Sequence, residues 1–303
     1  MTIGLPVYNG EATVGAAIRS VLDQQYERLE LIISDNASQD GTEEICREIA
    51  RSDARVNYHR QPENMGLLNN YCYVLAHAGG EYFKWLGDDD VLHPSFIARC
   101  AAALDAEPSL LLVTTQQSYL LDDGSTETRP YGGVALRSDQ PIERFEEALR
   151  LLNESRLLHD PLYALMRRTR VVPIRRTNVL CEDEIFAAKL ALAGPLGHLA
   201  EVLSCRRSRP DVRLSALARR LDVPAWNAKM ATTLQCRELF RAIAEAELTP
   251  SERRHARRAI ARFYLRRQTG TAMHRSRKLA RATAATLSPS WGGRRPDALC
   301  RRT

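Results

Sequence analysis

Between Thr2 and Ala106, short apolar runs alternate four times with segments whose apolar residues recur at helical spacing, and few folds accommodate that order. TIGLPV precedes EATVGAAIRSVLDQQ, in which Val14, Ile18, Val21 and Leu22 share one helical face. LELIISD precedes TEEICREIARS, VNYHR precedes MGLLNNYCYVLAHA, and GEYFKWL precedes HPSFIARCAAALDA. Strand and helix in this rhythm predict right-handed crossovers and a mostly parallel sheet with helices on both faces. In such a sheet, ligands bind beyond the carboxyl ends of the strands.

The second half is less regular. SLLLVTTQQSYLL reads as a buried strand, DDGSTETRPYGG as a polar turn, residues 141–153 as a helix and LYALMRR as a strand. A helix is expected from Glu182 to Ala193, then a Gly-Pro stop and a closing strand. From about Pro210 the chain turns to Arg-rich helices broken near Pro224 and Pro250, and SPSWGGRRPDALCRRT at the end is expected to be disordered. The net charge of +6 is unevenly spread. From Ser251 onward, fourteen arginines and one lysine face only Glu252 and Asp297, so the body before it is net acidic.

The four strand ends of the first half carry the loops PVYNGE, SDNAS, RQPENMG and GDDD. Their convergence on one sheet edge marks a binding crevice. Asp88, Asp89 and Asp90 repel each other and need a positive partner. A solvated turn is one reading, and a divalent cation carrying a phosphorylated ligand is the other. Magnesium and manganese take one or two carboxylates and leave positions for phosphate oxygens, which suits a strand exit of this kind. Asp35 has the chemistry to accept a hydrogen bond from a base imide, while Asn36 and Ser38 suit nearby groups. Ser38 or Asp40 is equally suited to cap the following helix. Tyr8 is either a stacking platform for a base or a partly buried core ring.

IGLPVYNGE, ELIISDNASQDGT, NMG and GEYFKWLGDDDVLHP, in this order and spacing, resemble the family-2 glycosyltransferases, which have the α/β GT-A fold and use nucleotide-diphosphate sugars. The resemblance runs from residue 2 to about residue 207. It implies a GT-A domain over residues 1–208, with a nucleotide-sugar-binding half (1–107) and an acceptor half (108–208), followed by an Arg-rich helical region (209–303). It also implies that Pro6, Val7, Tyr8, Asn9, Glu11, Asp35, Asn36 and Ser38 line the nucleotide pocket, with Asn64 and Gly66 beside it. The triplet would be the family's DxD-type metal motif, although many members carry aspartate where this chain has Gly87. Asp89 and Asp90 are accordingly assigned to a Mn2+ or Mg2+ ion, and Asp88 to the ribose side. The expected donor is a nucleotide-diphosphate sugar, UDP-linked before GDP- or dTDP-linked, with a glycan or lipid-linked acceptor.

LCEDEIFAAKLALAG resembles the family's acidic pair at a helix start in the acceptor half. A sugar hydroxyl attacking an anomeric carbon needs a base within hydrogen-bond reach. Asp183 is assigned that role, with Glu182 orienting it or contacting acceptor; the alternative is that these acids merely favour a helix N-terminus. The resemblance implies inversion in a single displacement, serving polysaccharide, glycolipid or glycoconjugate synthesis. Arg206 and Arg207 in LSCRR match the family's closing strand and are candidates for phosphate or acceptor, or plain surface arginines.

A nucleotidyltransferase would share the carboxylate-held metal, but PVYNGEA lacks the Gly-rich, basic loop that cradles a triphosphate. A non-catalytic nucleotide-sugar-binding or scaffold protein is the other alternative, and intact Asp35, Asp89, Asp90 and Asp183 count against it. The seven scattered cysteines lack a CxxC pair and fit reduced thiols. MTIGLPVYNG is unlike a signal peptide, and no apolar run approaches the roughly 18–20 residues of a membrane span. A cytoplasmic protein is expected. SERRHARRAIARFYLRRQTG sets Ala256, Ile260, Phe263 and Tyr264 on one side among arginines, for peripheral contact with an anionic membrane face or for packing on the body. No nucleic-acid partner is expected, because the basic tail has no recognisable module.

Overall fold

This computed structural model describes residues 1–121, 123–128, 131–154, 161–207 and 214–287, with side chains to residue 269. The first half follows the alternation. The elements are β1 (Thr2–Val7), α1 (Val14–Leu22), β2 (Glu30–Asp35), α2 (Thr42–Ser52), β3 (Val56–Arg60), α3 (Leu67–Ala76), β4 (Tyr82–Trp85), β5 (Val91–Leu92) and α4 (Phe96–Ala106). The second half adds β6 (Leu112–Leu120), β7 (Thr126–Thr128), α5 (Pro141–Glu154), β8 (Leu165–Arg167), α6 (Arg168–Val171), α7 (Glu182–Ala193), β9 (Leu196–Arg207), α8 (Leu214–Arg220), α9 (Ala231–Glu245) and α10 (Pro250–Leu287).

The strands form one sheet in the order β3-β2-β1-β4-β8-β6-β9-β5, with β7 beside the outer part of β6. β1, β2, β3 and β4 run parallel, as do β6 and β9, while β8 and β5 are antiparallel to their neighbours. All six residues of β1 are buried, as expected of a central parallel strand covered on both faces. Pro6 has no N–H, and it lies beyond Gly4, the last β1 residue paired with β4, so no bond to that neighbour is lost. A Cβ on Gly4 would stand 2.6 Å from the Val74 side chain, so a glycine there lets α3 lie close against β1. The register of β6 and β9 slips twice, between Thr115 and Gln116 and between Gln116 and Gln117.

One expectation needs correction, and one element was not foreseen. The polar stretch after β6 is not only a turn: Thr126–Thr128 returns as β7 and pairs with Ser118, Tyr119 and Leu120. The two-residue β5, pairing with β9, carries too few residues to show a period. The terminal SPSWGGRRPDALCRRT lies outside the described residues.

One face of the sheet packs on α1, α2 and α4 through Ile18, Val21, Cys46, Ile97 and Leu104. The other face packs on α3, α5, α7, α9 and α10 through Val74, Phe145, Phe186, Leu239 and Ile260. Ala256, Ile260 and Phe263, the apolar stripe of the Arg-rich segment, are buried in the same cluster as Trp85 and Phe186. That stripe is covered by protein, which leaves only the arginine side for another surface. Met1–Tyr264 forms one compact unit and the chain from Leu265 a second. Within the second, the Thr269 hydroxyl bonds the carbonyls of Leu265 and Arg266, one turn back along α10. No helix among the described residues is long and apolar enough to cross a membrane.

On β9, His198 is stacked flat beneath Tyr131, with ring centroids 3.6 Å apart, and its Nδ1 lies 2.9 Å from the Thr114 hydroxyl. Its Nε2 is buried with no hydrogen-bond partner, and burial pushes the imidazole down to about 4 from 6.5. The unfolded chain therefore binds a proton that the folded chain refuses. Stability present above about pH 6.5 is lost as pH falls toward 4. His198→Phe, which keeps the stacked ring, is expected to flatten this acid-side loss in a series of melting temperatures against pH. Ile260→Ala is expected to cost about 2–5 kcal/mol in urea unfolding, as a buried core position does.

Candidate active site

The loop after β1 and the loop after β2 are zipped together by polar contacts. The Asn9 amide donates to the Ser38 hydroxyl (2.9 Å), and the Asn9 side-chain oxygen accepts from the Gln39 amide (2.8 Å). The Gly10 amide donates to the Thr42 hydroxyl (2.8 Å), and the Gly41 amide donates to the Glu11 carboxylate (3.1 Å). Asp40 accepts from the amides of Glu11 and Thr42, but the N-cap of α2 is Gly41, with no side-chain cap, and not Ser38 or Asp40 as the capping reading expects. Asn9 and Ala37 hold left-handed backbones (φ 53° and 61°), a local strain of the kind that a tightly bonded loop sustains. Tyr8 is 45% exposed and presents its ring to solvent at the rim.

Asp35 is fully buried. One carboxylate oxygen accepts from the Ser38 amide (2.9 Å); the other accepts from the Tyr58 hydroxyl (2.7 Å) and the Arg60 guanidinium (2.9 Å). Its oxygens thus hold the floor of the loops in place. Asn36 bridges to the next loop, donating to Asn64 (2.8 Å) and accepting from the Met65 amide (2.9 Å), and Asn64 in turn accepts from the Gly66 amide. Beneath them, Asn70 ties the Ser34 hydroxyl (2.6 Å) and the Ser34 carbonyl (2.9 Å) to α3, and Gln61 donates to the same Ser34 hydroxyl. Ser34 and Gln61 stand at the start of the SDNAS and RQPENMG loops, where the sequence assigns them no role, and Asn70 carries no motif: only its burial within α3 singles it out.

At the end of β4, the Asp90 amide closes a turn onto the Gly87 carbonyl (3.2 Å). Asp88 packs toward the β1 loop: its carboxylate is 3.5 Å from the Thr13 hydroxyl, and a Cβ on Gly10 would lie 2.9 Å from its oxygen. Asp90 is buried, and its carboxylate meets the Arg206 guanidinium at 3.3 Å. Lys84, itself buried on β4, bonds the Tyr163 carbonyl and lies 4.6 Å over the Phe96 ring. Burial pushes the Asp90 carboxyl up, while Arg206 and Lys84 pull it back. Two protein cations therefore offset the crowding of the acidic turn at its buried end. Arg206 is a site residue rather than a surface arginine, and it stacks 3.9 Å over Tyr163.

Two carboxylates of the turn crowd the same glycine. A Cβ on Gly87 would come 2.9 Å from an Asp90 oxygen and 3.2 Å from an Asp89 oxygen, so both carboxylates converge on space that only glycine leaves open. Among the described residues, no group of three or more His, Cys, Asp or Glu could hold an ion alone, so ligand oxygens would have to complete the coordination.

The facing wall is the first turn of α7. The chain enters it through Cys181 in the left-handed conformation (φ 60°). Asp183 accepts from the Glu184 amide (2.9 Å) and is half-buried. Tyr163 links the two walls electrostatically: burial raises its phenol, Arg206 opposes that, and Asp90 and Asp183 both add to it. Its hydroxyl lies 3.3 Å from that of Tyr71. Glu182 has a different place from the one expected of an acceptor contact. It forms an ion pair with Arg176 in which the side chains are only 10% and 7% exposed. Arg176 bears no sequence motif and was not legible before the structure.

The sheet, the crevice beyond its parallel strands and the acidic turn define a GT-A fold of the nucleotide-sugar type. A family model described as Glycosyl transferase family 2 matches residues 2–169, more than half the chain, and the chain belongs to that family. An uncharacterized glycosyltransferase of Haemophilus influenzae is 31% identical over 113 residues, 37% of this chain and 34% of the relative. The GalNAc(5)-diNAcBac-PP-undecaprenol beta-1,3-glucosyltransferase of Campylobacter jejuni is 25% identical over 152 residues, 48% of this chain and 46% of the relative. The matched segments thus span well under two thirds of these relatives. Among solved structures, S. aureus TarS 1–349 in complex with UDP shares the fold at a TM-score of 0.62 and 17% identity, over 86% of this chain and 70% of that chain. The mannosyltransferase PcManGT from Pyrobaculum calidifontis, in complex with GDP-Man and Mn2+, shares it at 0.53 and 18%, over 94% and 80%.

Gly87→Ala would push a methyl group into the converging carboxylates. It is expected to weaken Mn2+ binding in the presence of UDP by about tenfold or more in calorimetry, a loss of about 1.4 kcal/mol, with little change in melting temperature.

Proposed function

We propose that the chain transfers a glycosyl group from a nucleoside-diphosphate sugar to a hydroxyl of a glycan or lipid-linked glycan, with inversion at the anomeric carbon. The observation that carries this reading is the acidic turn after β4, with Asp90 held by Arg206, together with the acidic first turn of α7 that carries Asp183; both Asp90 and Asp183 act electrostatically on the Tyr163 phenol. The zipped loops after β1 and β2, with Tyr8 at their rim, take the nucleoside. Asp89 and Asp90 are the residues to hold a divalent ion, which would supply positive charge against the departing diphosphate. Arg206 stands beside the same carboxylate and adds a fixed cation to that end of the crevice.

At the other end, Asp183 accepts the proton of the acceptor hydroxyl as its oxygen bonds to the anomeric carbon. The bond from that carbon to the diphosphate oxygen breaks, and its electron pair leaves with the nucleoside diphosphate. A lipid-linked acceptor is supported by the likeness to the Campylobacter relative, a glucosyltransferase named for an undecaprenol-linked glycan. The solvent-facing Arg254, Arg257 and Arg258 of α10 suit an anionic membrane surface beside such an acceptor.

A panel of UDP-, GDP- and dTDP-sugars with Mn2+, read by thermal stabilisation and by release of nucleoside diphosphate, tests the reading. Asp183→Asn is expected to keep donor stabilisation and to lose transfer by about 10²–10⁴-fold. Unchanged transfer in that variant would remove Asp183 from the role.

A further inference from the structure

The first turn of α7 carries Glu182, Asp183 and Glu184 in succession, and the two outer acids are tethered to different parts of the molecule. Glu184 accepts from Gln235 of α9 (2.6 Å), a fully buried residue. Glu182 accepts from Arg176, Nε to Oε1 at 2.8 Å and Nη2 to Oε2 as the second prong of a fork. The guanidinium is enclosed by the rings of Tyr71 (5.7 Å), Trp85 (5.2 Å) and Phe186 (4.7 Å), and its Nη1 is buried without a hydrogen-bond partner.

These three rings belong to three different elements. Tyr71 is on α3, Phe186 on α7, and Trp85 is the last residue of β4, two positions before Gly87 opens the acidic turn. The Trp85 indole also donates to the Tyr71 carbonyl (2.9 Å). One guanidinium thus touches the strand that ends in the acidic turn and, through Glu182, the helix that carries the candidate base. The entry to that helix is strained, since Cys181 holds φ 60° and supplies no side-chain cap. A left-handed non-glycine residue costs on the order of 1 kcal/mol or more and persists only where surrounding contacts impose it. A buried charge pair is a weak source of net stability but a good source of fixed geometry, because breaking it strands a charge.

We propose that Arg176 is a positioning residue for catalysis: its forked pair with Glu182, locked among Tyr71, Trp85 and Phe186, fixes Asp183 at its distance from the acidic turn. This inference rests on the reading of Asp183 as the base. Glu182 then acts through the backbone of α7 and not on the acceptor, and Gln235 is the second tether, from the C-terminal helices. Misplacing a base by about 1 Å costs on the order of 10²-fold in rate with substrate binding intact.

Arg176→Gln, Glu182→Gln and the double variant are compared with Asp183→Asn in two assays. Turnover is followed as nucleoside-diphosphate release from the UDP-, GDP- and dTDP-sugar panel, and binding by calorimetry with UDP, GDP and dTDP, each with Mn2+. Each single variant is expected to lower kcat by about 10–100-fold with nucleotide affinity within twofold. The double variant is expected to fall no further than the worse single, because the two residues act as one unit. Arg176→Lys keeps a cation among the rings but loses the fork, so an intermediate kcat is expected; it is also the variant to read if Arg176→Gln does not fold. Additive losses, nucleotide affinity falling in step with kcat, or full turnover in both Arg176 variants would overturn the proposal. If Asp183→Asn is inactive while Arg176→Gln and Arg176→Lys turn over normally, the positioning role alone fails. Normal turnover in Asp183→Asn removes the base and the positioning role together.

Discussion

The site depends on one arrangement of charge. Asp90 is a carboxylate buried at the foot of an acidic turn, and it is held there by Arg206 and by the field of buried Lys84. An unpaired carboxylate at that depth would take up a proton or drag water inward. With two cations beside it, the turn can close on Gly87, set Asp88 toward the β1 loop and bring an Asp89 oxygen beside the same glycine. The rest of the crevice is built outward from this point. Arg206 stacks on Tyr163, Lys84 bonds the Tyr163 carbonyl, and the Tyr163 hydroxyl meets Tyr71 above the Trp85 indole.

The two walls of the crevice solve the same problem by different means. On the side of β1 and β2, polar loops are fixed by neutral hydrogen bonds among Asn9, Ser38, Asn36 and Asn64, with Asp35 as their charged anchor. On the side of α7, charge pairing between Glu182 and a ring-enclosed arginine fixes the first turn. The C-terminal helices serve that side too. Through Leu239, Ile243 and Ile260 they share the core that supports Phe186, and through Gln235 they reach the first turn of α7 itself.

Much of this architecture was legible in the sequence, and the reasons are physical. Strand and helix periods in the first hundred residues are local properties, so β1 to β4 and α1 to α4 follow from the order of apolar residues alone. The acidic turn and the loops after β1 and β2 are contiguous stretches of the sort that chemistry marks. What was hidden is long-range. Arg206 meets Asp90 across more than a hundred residues, and Arg176 sits in a loop that has no period and no motif. Glu182 could be seen as an acid at a helix start, but its partner decides what it does. Strands as short as β5 and β7 cannot show an alternation, so only pairing reveals them.

The slipped register between β6 and β9 has a consequence for the whole design. Were the alignment of Thr115 with Leu199 carried on without interruption, Tyr119 would face Leu203; the slips instead bring Arg206 opposite Tyr119 and leave Leu203 in the apolar interior. The irregularity works as a phase shifter. It lets a single strand begin as a core element and finish as an electrostatic one, without a loop between the two duties. Loop lengths around this protein can drift over generations at modest cost, but the residue count between Leu199 and Cys205 is pinned by the need to deliver a cation to the acidic turn.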